Sequence, residues 1–338
     1  MDLTRVAGAP ISWGVCEVPG WGYQLGPGRV LAELAEVGLA ATEFGPDGFL
    51  PADPLRRAAL LAGAGLRAVG GFVPVVLHEP GHDPLAGLGP VLADFVAAGA
   101  GVLVLAADTG VTGYDRRVEL DVAAWGRLLS TLDRIDAVAA ASGLLATLHP
   151  HVGTVVEREP EVRRVLDGCG IGLCLDTGHL LVGGTDPAAL AAAAAGRVGH
   201  VHLKDVDAGR AARVGAGAAT YTEMVADGMY RPLGAGDAGI AAVVSTLERS
   251  GYTGWYVLEQ DAVLAGPPAP GAGPIADVRS SVDFLRRLDT WHGPDSPSPA
   301  GQGLGGPSPD GPSLDCPSLG GQGPAGHDPG LGGQGRDG

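Results

Sequence analysis

The chain is 338 residues long, 45% of them hydrophobic, and carries a formal net charge of −16. That length suits one large domain or two small ones, with enough apolar material for a sizeable core. The acidic balance and the lack of any basic stripe argue against a nucleic-acid partner and against an anionic membrane surface.

Four cysteines, Cys16, Cys169, Cys174 and Cys316, show neither CxxC pairing nor zinc-finger spacing, so no disulfide framework is expected. The first ten residues, MDLTRVAGAP, lack the pattern of a signal peptide, and no apolar run reaches the roughly 18–20 residues of a membrane span. The expected location is the cytoplasm. Of 22 basic residues only Lys204 is a lysine. A single survivor among arginines points to a task that needs a compact ammonium of adjustable pKa rather than a guanidinium.

In chain order, short apolar runs predict strands over 10–15, 41–44, 66–77, 101–107, 144–148, 171–175, 198–203 and 255–259. Helical spacing falls between them over 29–37, 53–61, 84–98, 118–141, 160–166, from about 186, over 211–227 within an insertion, and over 240–250 and 274–289. Asp53 is placed to cap the second helix, with Pro54 in its first turn. Eight strands alternating with helices predict an α/β fold, a closed (β/α)8 TIM barrel forming a single domain over 1–292. No GxGxxG follows the first strand; GAGDAG at 234–239 matches those letters, but no strand leads into it and it reads as a loop. From 293 to 338 the composition turns to Gly, Pro, Ser and Asp, which predicts a disordered tail holding Cys316 and His327 as bystanders.

The chemistry-bearing residues gather at predicted strand ends, which a barrel brings to one face. Strand five ends at His149 and His151, with Glu157 a few residues on; strand six ends at Asp176 with His179 behind it; strand seven carries His200, His202 and Lys204; strand eight ends at Glu259. Such a carboxylate–imidazole set suits a divalent cation, Mn²⁺, Co²⁺, Mg²⁺ or Zn²⁺. Period-two alternation puts His200, His202 and Lys204 on one side of their strand; His202, nearer the end, is the expected ligand and His200 a buried, hydrogen-bonded scaffold. Glu43 at the end of strand two and Trp13 near strand one are candidate substrate contacts.

Residues 6–290 resemble the xylose-isomerase-like barrel superfamily of sugar isomerases, epimerases and dehydratases, and within it the inosose (2-keto-myo-inositol) dehydratases. The matching stretches include TEFG and DGF within 42–49, HPHVGT at 149–154, DTGH at 176–179, HVHLKD at 200–205, GMY and PLGAGD within 228–237, and VLEQD at 257–261. The resemblance implies a metal held by one ligand from each of strands five to eight, which carries over to Asp176, His202 and Glu259. The family's strand-five Glu is replaced here by His149, so the fourth ligand stays open among His149, His151 and Glu157. It further implies a lyase that dehydrates a keto-cyclitol or keto-sugar through an enediolate, using Mn²⁺ or Co²⁺ ahead of Mg²⁺ or Zn²⁺. Lys204, His151 and Glu259 are candidate acid–base groups, and Glu43, His179 and Trp13 candidate substrate contacts. The alternatives are a ketose isomerase or epimerase on the same barrel and, against the acidic charge, an endonuclease IV-like DNA-repair nuclease. Homo-oligomerisation is left open by the sequence.

Overall fold

The computed structural model describes residues 2–290; the segment 293–338, expected as a disordered tail, lies outside them. Nine parallel strand segments form one sheet: β1 (Val6–Gly8), β2 (Ala41–Thr42), β3 (Arg67–Ala68), β4 (Gly70–Val76), β5 (Val102–Asp108), β6 (Leu145–Leu148), β7 (Gly172–Asp176), β8 (Val198–Leu203) and a last strand, Tyr256–Leu258. The order is β3-β2-β1-last-β8-β7-β6-β5-β4. Its two ends, β3 and β4, are consecutive pieces of one strand interrupted at Val69. That residue donates to Thr42 O at 3.0 Å on one side and accepts from Gly101 N at 2.9 Å on the other, so the ring closes through it. The outcome is the expected TIM barrel with eight strand positions. Two short antiparallel strands, β9 (Asp205–Val206) and β10 (Tyr230–Arg231), form a ribbon outside it, so the last barrel strand is β11.

Three local expectations change. The span 10–15 is not a strand: Pro10–Trp13 is a 3-10 turn closed by Gly14 at φ 75°. Pro10, with its fixed φ and no N–H to donate, opens that turn at its first position, and the paired strand is the preceding Val6–Gly8. The span 66–77 is split at Val69, as above. The insertion helix expected over 211–227 is two helices, α8 (Ala208–Gly215) and α9 (Tyr221–Ala226). Gly217 at φ 66° breaks them apart and Thr220 restarts the chain with a capping box to Glu223. Among the described residues no helix is long and apolar enough to cross a membrane.

Alternation along the strands sorts the side chains. Val201 and Leu203 of β8, Leu173 and Leu175 of β7, and Tyr256 and Leu258 of β11 join the core between barrel and helices. Ala7, Val104, Cys174 and Val257 form a separate cluster inside the barrel. On the outer side α1 (Pro27–Glu36) lays Val30, Leu31 and Leu34 against the wall. Leu34 reaches so close that a Cβ at Gly8 would lie 2.5 Å from its Cδ2, which is why that position is glycine. Burying a leucine fully stabilises by about 1.5–3 kcal/mol.

Candidate active site

The site sits inside the barrel at the carboxyl ends of β6, β7, β8 and β11, and register explains it. Asp176 pairs with His202, and His202 with Val257. The carboxylate and imidazole therefore point inward at one level, with Glu259 two residues beyond Val257. A cavity of about 730 Å³ opens above them, lined among others by Glu43, Phe72, His149, His151, Lys204 and Glu259.

Asp176 ends β7 and caps α6 (Thr177–Val182). Its Oδ1 accepts from Gly178 N and His179 N at 2.8 Å each, which leaves Oδ2 for the cavity side. Oδ2 lies 3.2 Å from His149 Nε2, 3.5 Å from His202 Nδ1 and 3.6 Å from Lys204 Nζ. Glu259 Oε2 is 3.1 Å from His202 Nδ1 and 3.1 Å from Lys204 Nζ.

Glu43 Oε1 lies 2.8 Å from His200 Nε2 and 3.1 Å from His202 Nε2, forming the floor of the site. A carboxylate can only accept, so His202 Nε2 carries a hydrogen. His202 Nδ1 makes no hydrogen bond and meets two carboxylate oxygens. That arrangement requires a positive charge at this point. A proton can supply it: burial opposes charging His202, but Cys174, Glu259 and Glu43 hold its pKa well above the usual histidine value. A divalent cation can supply it too, and the donor set fits one. Asp176, His202 and Glu259 offer ligand atoms all within 4.8 Å of one another, and His149 groups with Asp176 in the same way. His200 is buried and hydrogen-bonded to Glu43.

Burial pushes both carboxyls up, yet nearby cations win. His202 and Lys204 bring Glu259 down to about 2, and Lys204 foremost holds Asp176 well below the carboxylate range. Burial alone would discharge Lys204; Asp176, Asp261 and Glu259 overcome it and keep the ammonium charged. His151 and His179 are pushed well below the usual value, burial being the main cause. His151 Nδ1 is 2.7 Å from Val152 O, a pure acceptor, so the hydrogen sits on Nδ1 and Nε2 carries the lone pair.

Several expected residues stand elsewhere. Glu157 is not with Asp176, His202 and Glu259: its Oε2 accepts from Gly153 N at 2.8 Å and pairs with Arg117 at 2.5 Å. Of the three strand-five candidates only His149 reaches Asp176; His151 turns its ring onto His179, with centroids 3.7 Å apart. His179 is buried behind His151, one layer back from the cavity, and its Nε2 meets Lys204 Nζ at 3.1 Å. Trp13 is no wall of the cavity. It is fully buried in the core, and its indole N–H donates to Glu33 at 2.7 Å. The aromatic wall is instead built by Trp21, Phe72, Tyr114 and Tyr221. Tyr114 donates its hydroxyl to Glu17 across the mouth.

Asp261 and Tyr221 were not anticipated as site residues. For Asp261 a signal existed: it stands two residues after Glu259, so the alternation that groups His200, His202 and Lys204 also groups these two acids. GAGDAG proves to be an internal anion cradle. Gly234 N, Gly236 N and Ala238 N donate to the buried Asp205 carboxylate at 2.8, 3.0 and 3.0 Å.

A barrel with this set of groups at the carboxyl ends of its strands defines the class, and the sequence agrees: the chain belongs to the xylose isomerase-like TIM barrel family, whose profile matches residues 31–288. It is 31% identical over 269 residues to the rhizopine catabolism protein MocC of Rhizobium meliloti, spanning 76% of this chain and 81% of that protein. It is 29% identical over 278 residues to the inosose dehydratase of Geobacillus kaustophilus (strain HTA426), spanning 78% and 90%. An L-ribulose 3-epimerase shares the fold with a TM-score of 0.60 at 17% identity, covering 87% of this chain and 99% of that one. A D-allulose 3-epimerase from Methylomonas sp. does so at 0.58 and 15%, covering 84% and 96%.

Proposed function

We propose that the protein is a divalent-metal-dependent carbon–oxygen lyase that removes water from a neutral keto-cyclitol such as 2-keto-myo-inositol. The observation that carries this reading is the convergence of Asp176, His202 and Glu259 with the Lys204 ammonium 3.1 Å from Glu259. The 29% identity to an inosose dehydratase supports it. With His149 as the strand-five group, the set favours Mn²⁺ or Co²⁺, with Mg²⁺ or Zn²⁺ next. A cation held there supplies Lewis-acid polarisation of the substrate ketone.

The chain's own groups do the rest. His151 Nε2, neutral and bordering the cavity, takes the proton α to the ketone. The Lys204 ammonium offsets the negative charge that develops on the enediolate oxygens. The imidazolium of His151 then returns its proton to the β-hydroxyl, which leaves as water. His179 stacks behind His151 and steadies its ring, while Glu43 orients His202 from below. Lys204 is the one lysine and is already matched by carboxylates, which suits an uncharged substrate better than a phosphorylated one.

A ketose epimerase on the same scaffold is the second reading, and the structural likenesses above favour it. A two-carboxylate proton relay would need an acid where His149 stands, which favours the lyase. Metal-reconstituted protein incubated with 2-keto-myo-inositol and a panel of ketoses separates them by mass. Loss of one water is expected; an isomeric product of unchanged mass would transfer the assignment to an epimerase, and no conversion of any member would overturn both.

A further inference from the structure

Three groups meet the Lys204 ammonium: His179 Nε2 at 3.1 Å, Glu259 Oε2 at 3.1 Å and Asp261 Oδ1 at 2.8 Å. Two of the three are carboxylate oxygens that meet the ammonium as ion pairs. The shortest contact goes to Asp261, outside the candidate metal set. Asp176 Oδ2, at 3.6 Å, is left just beyond hydrogen-bond reach.

Asp261 is held from its other side. Tyr221 donates its hydroxyl to Asp261 Oδ2 at 2.6 Å. With that hydrogen used, the Tyr221 oxygen can only accept, so Tyr230, 3.1 Å away, is the donor. The chain of bonds therefore runs in one direction, from Tyr230 to Tyr221 to Asp261, where Lys204 meets it, and all four residues are buried. Tyr221 opens α9 and Tyr230 lies on β10, both in the insertion after β8. That insertion has its own apolar cluster, including Met224, Val225 and Met229, to fix them.

Lys204 and a metal ion would compete for the same oxygens, since Glu259 Oε2 and Asp176 Oδ2 are also the atoms that face His202 Nδ1. Two positive charges a few ångströms apart in a buried site repel strongly. Resting on the metal-site reading above, we propose that Asp261, aimed by Tyr221, is a positioning residue. It draws the Lys204 ammonium off Asp176 and balances its charge, so that the ammonium and a divalent cation can occupy one site. The insertion would then serve the metal centre without contributing a ligand to it.

Calorimetric titration of the full chain with Mn²⁺, without substrate, tests this. Asp261→Asn is expected to bind Mn²⁺ about 10–100-fold more weakly than the parent, and Tyr221→Phe more weakly by a smaller factor. Lys204→Met in the Asp261→Asn background should restore at least parental affinity, because the unbalanced cation is gone; a merely structural loss would not be rescued by removing a second buried partner. Parental affinity in a folded Asp261→Asn variant, or a double variant as weak as the single, overturns this proposal alone. A parent that takes up no divalent cation overturns the metal-site reading and this proposal with it. Should Asp261→Asn not fold, Tyr221→Phe must bind more weakly than the parent and Lys204→Met more tightly; parental affinity in both overturns the proposal.

Discussion

The stem of Lys204 runs across the α-carbon of Gly178. A Cβ at Gly178 would lie 2.7 Å from Lys204 Cγ and 2.9 Å from its Cβ and Cδ. The glycine of the DTGH stretch is thus explained by packing against the lysine of the HVHLKD stretch, and two segments that look separate in sequence act as one. Gly178→Ala is expected to fold with a loss of about 1–3 kcal/mol from overpacking. It should lose at least about tenfold in turnover as the ammonium is displaced, a scale typical of misplaced catalytic groups. Thermal melts beside a dehydration assay check it, and a variant with parental turnover would remove Lys204 from the mechanism.

Strand five supplies His149 and not Glu157 to the centre. His149→Ala should weaken divalent-metal binding by about 10-fold or more. Glu157→Gln should leave metal binding unchanged while lowering stability by about 1–3 kcal/mol, the range for hydrogen bonds to a charged group. Metal titration and denaturant melts on both variants separate the roles, and the opposite pattern would restore Glu157 as the ligand.

Chelation should destabilise the fold. Two carboxylates face one imidazole nitrogen inside the barrel, and a cation bound there stabilises by mass action, by about 2.7 kcal/mol at a hundredfold excess over Kd. Treatment with EDTA is expected to lower Tm, and Mn²⁺ or Co²⁺ to restore it. A Tm indifferent to both would argue that a proton on His202 fills the gap alone.

Asp205 shows how a motif can mislead. Its carboxylate fills the GAGDAG turn from inside, so no external phosphate is needed to satisfy those amides. Asp205→Ala should cost about 2–4 kcal/mol, since three loop amides lose a charged acceptor at once. Mn²⁺ affinity should stay within a fewfold of the parent. Circular dichroism melts and metal titration check both halves; unchanged stability would refute the cradle.

The order of strands and helices, the barrel class, and the inward set of His200, His202 and Lys204 were legible from the chain, because alternation with a period of two and helical spacing are local properties. The meeting of Asp176 and His202 inside the barrel was legible too, since each lies at the end of a short apolar run. Where the local signal is short the reading slipped. Three residues, Val6–Gly8, are too few for a visible alternation, and the stronger run beyond them starts at Pro10, whose fixed φ and missing N–H suit the first position of the 3-10 turn it opens.

What only the tertiary structure decided are relationships between distant segments. Arg117 claims Glu157, Glu33 claims the indole of Trp13, and Asp261 with Tyr221 claims Lys204. Each depends on which partner is nearest in space, and a charged or polar side chain goes to the partner that offsets its burial. The lone lysine could be noticed in the composition; that its charge is balanced from an insertion follows from folding alone.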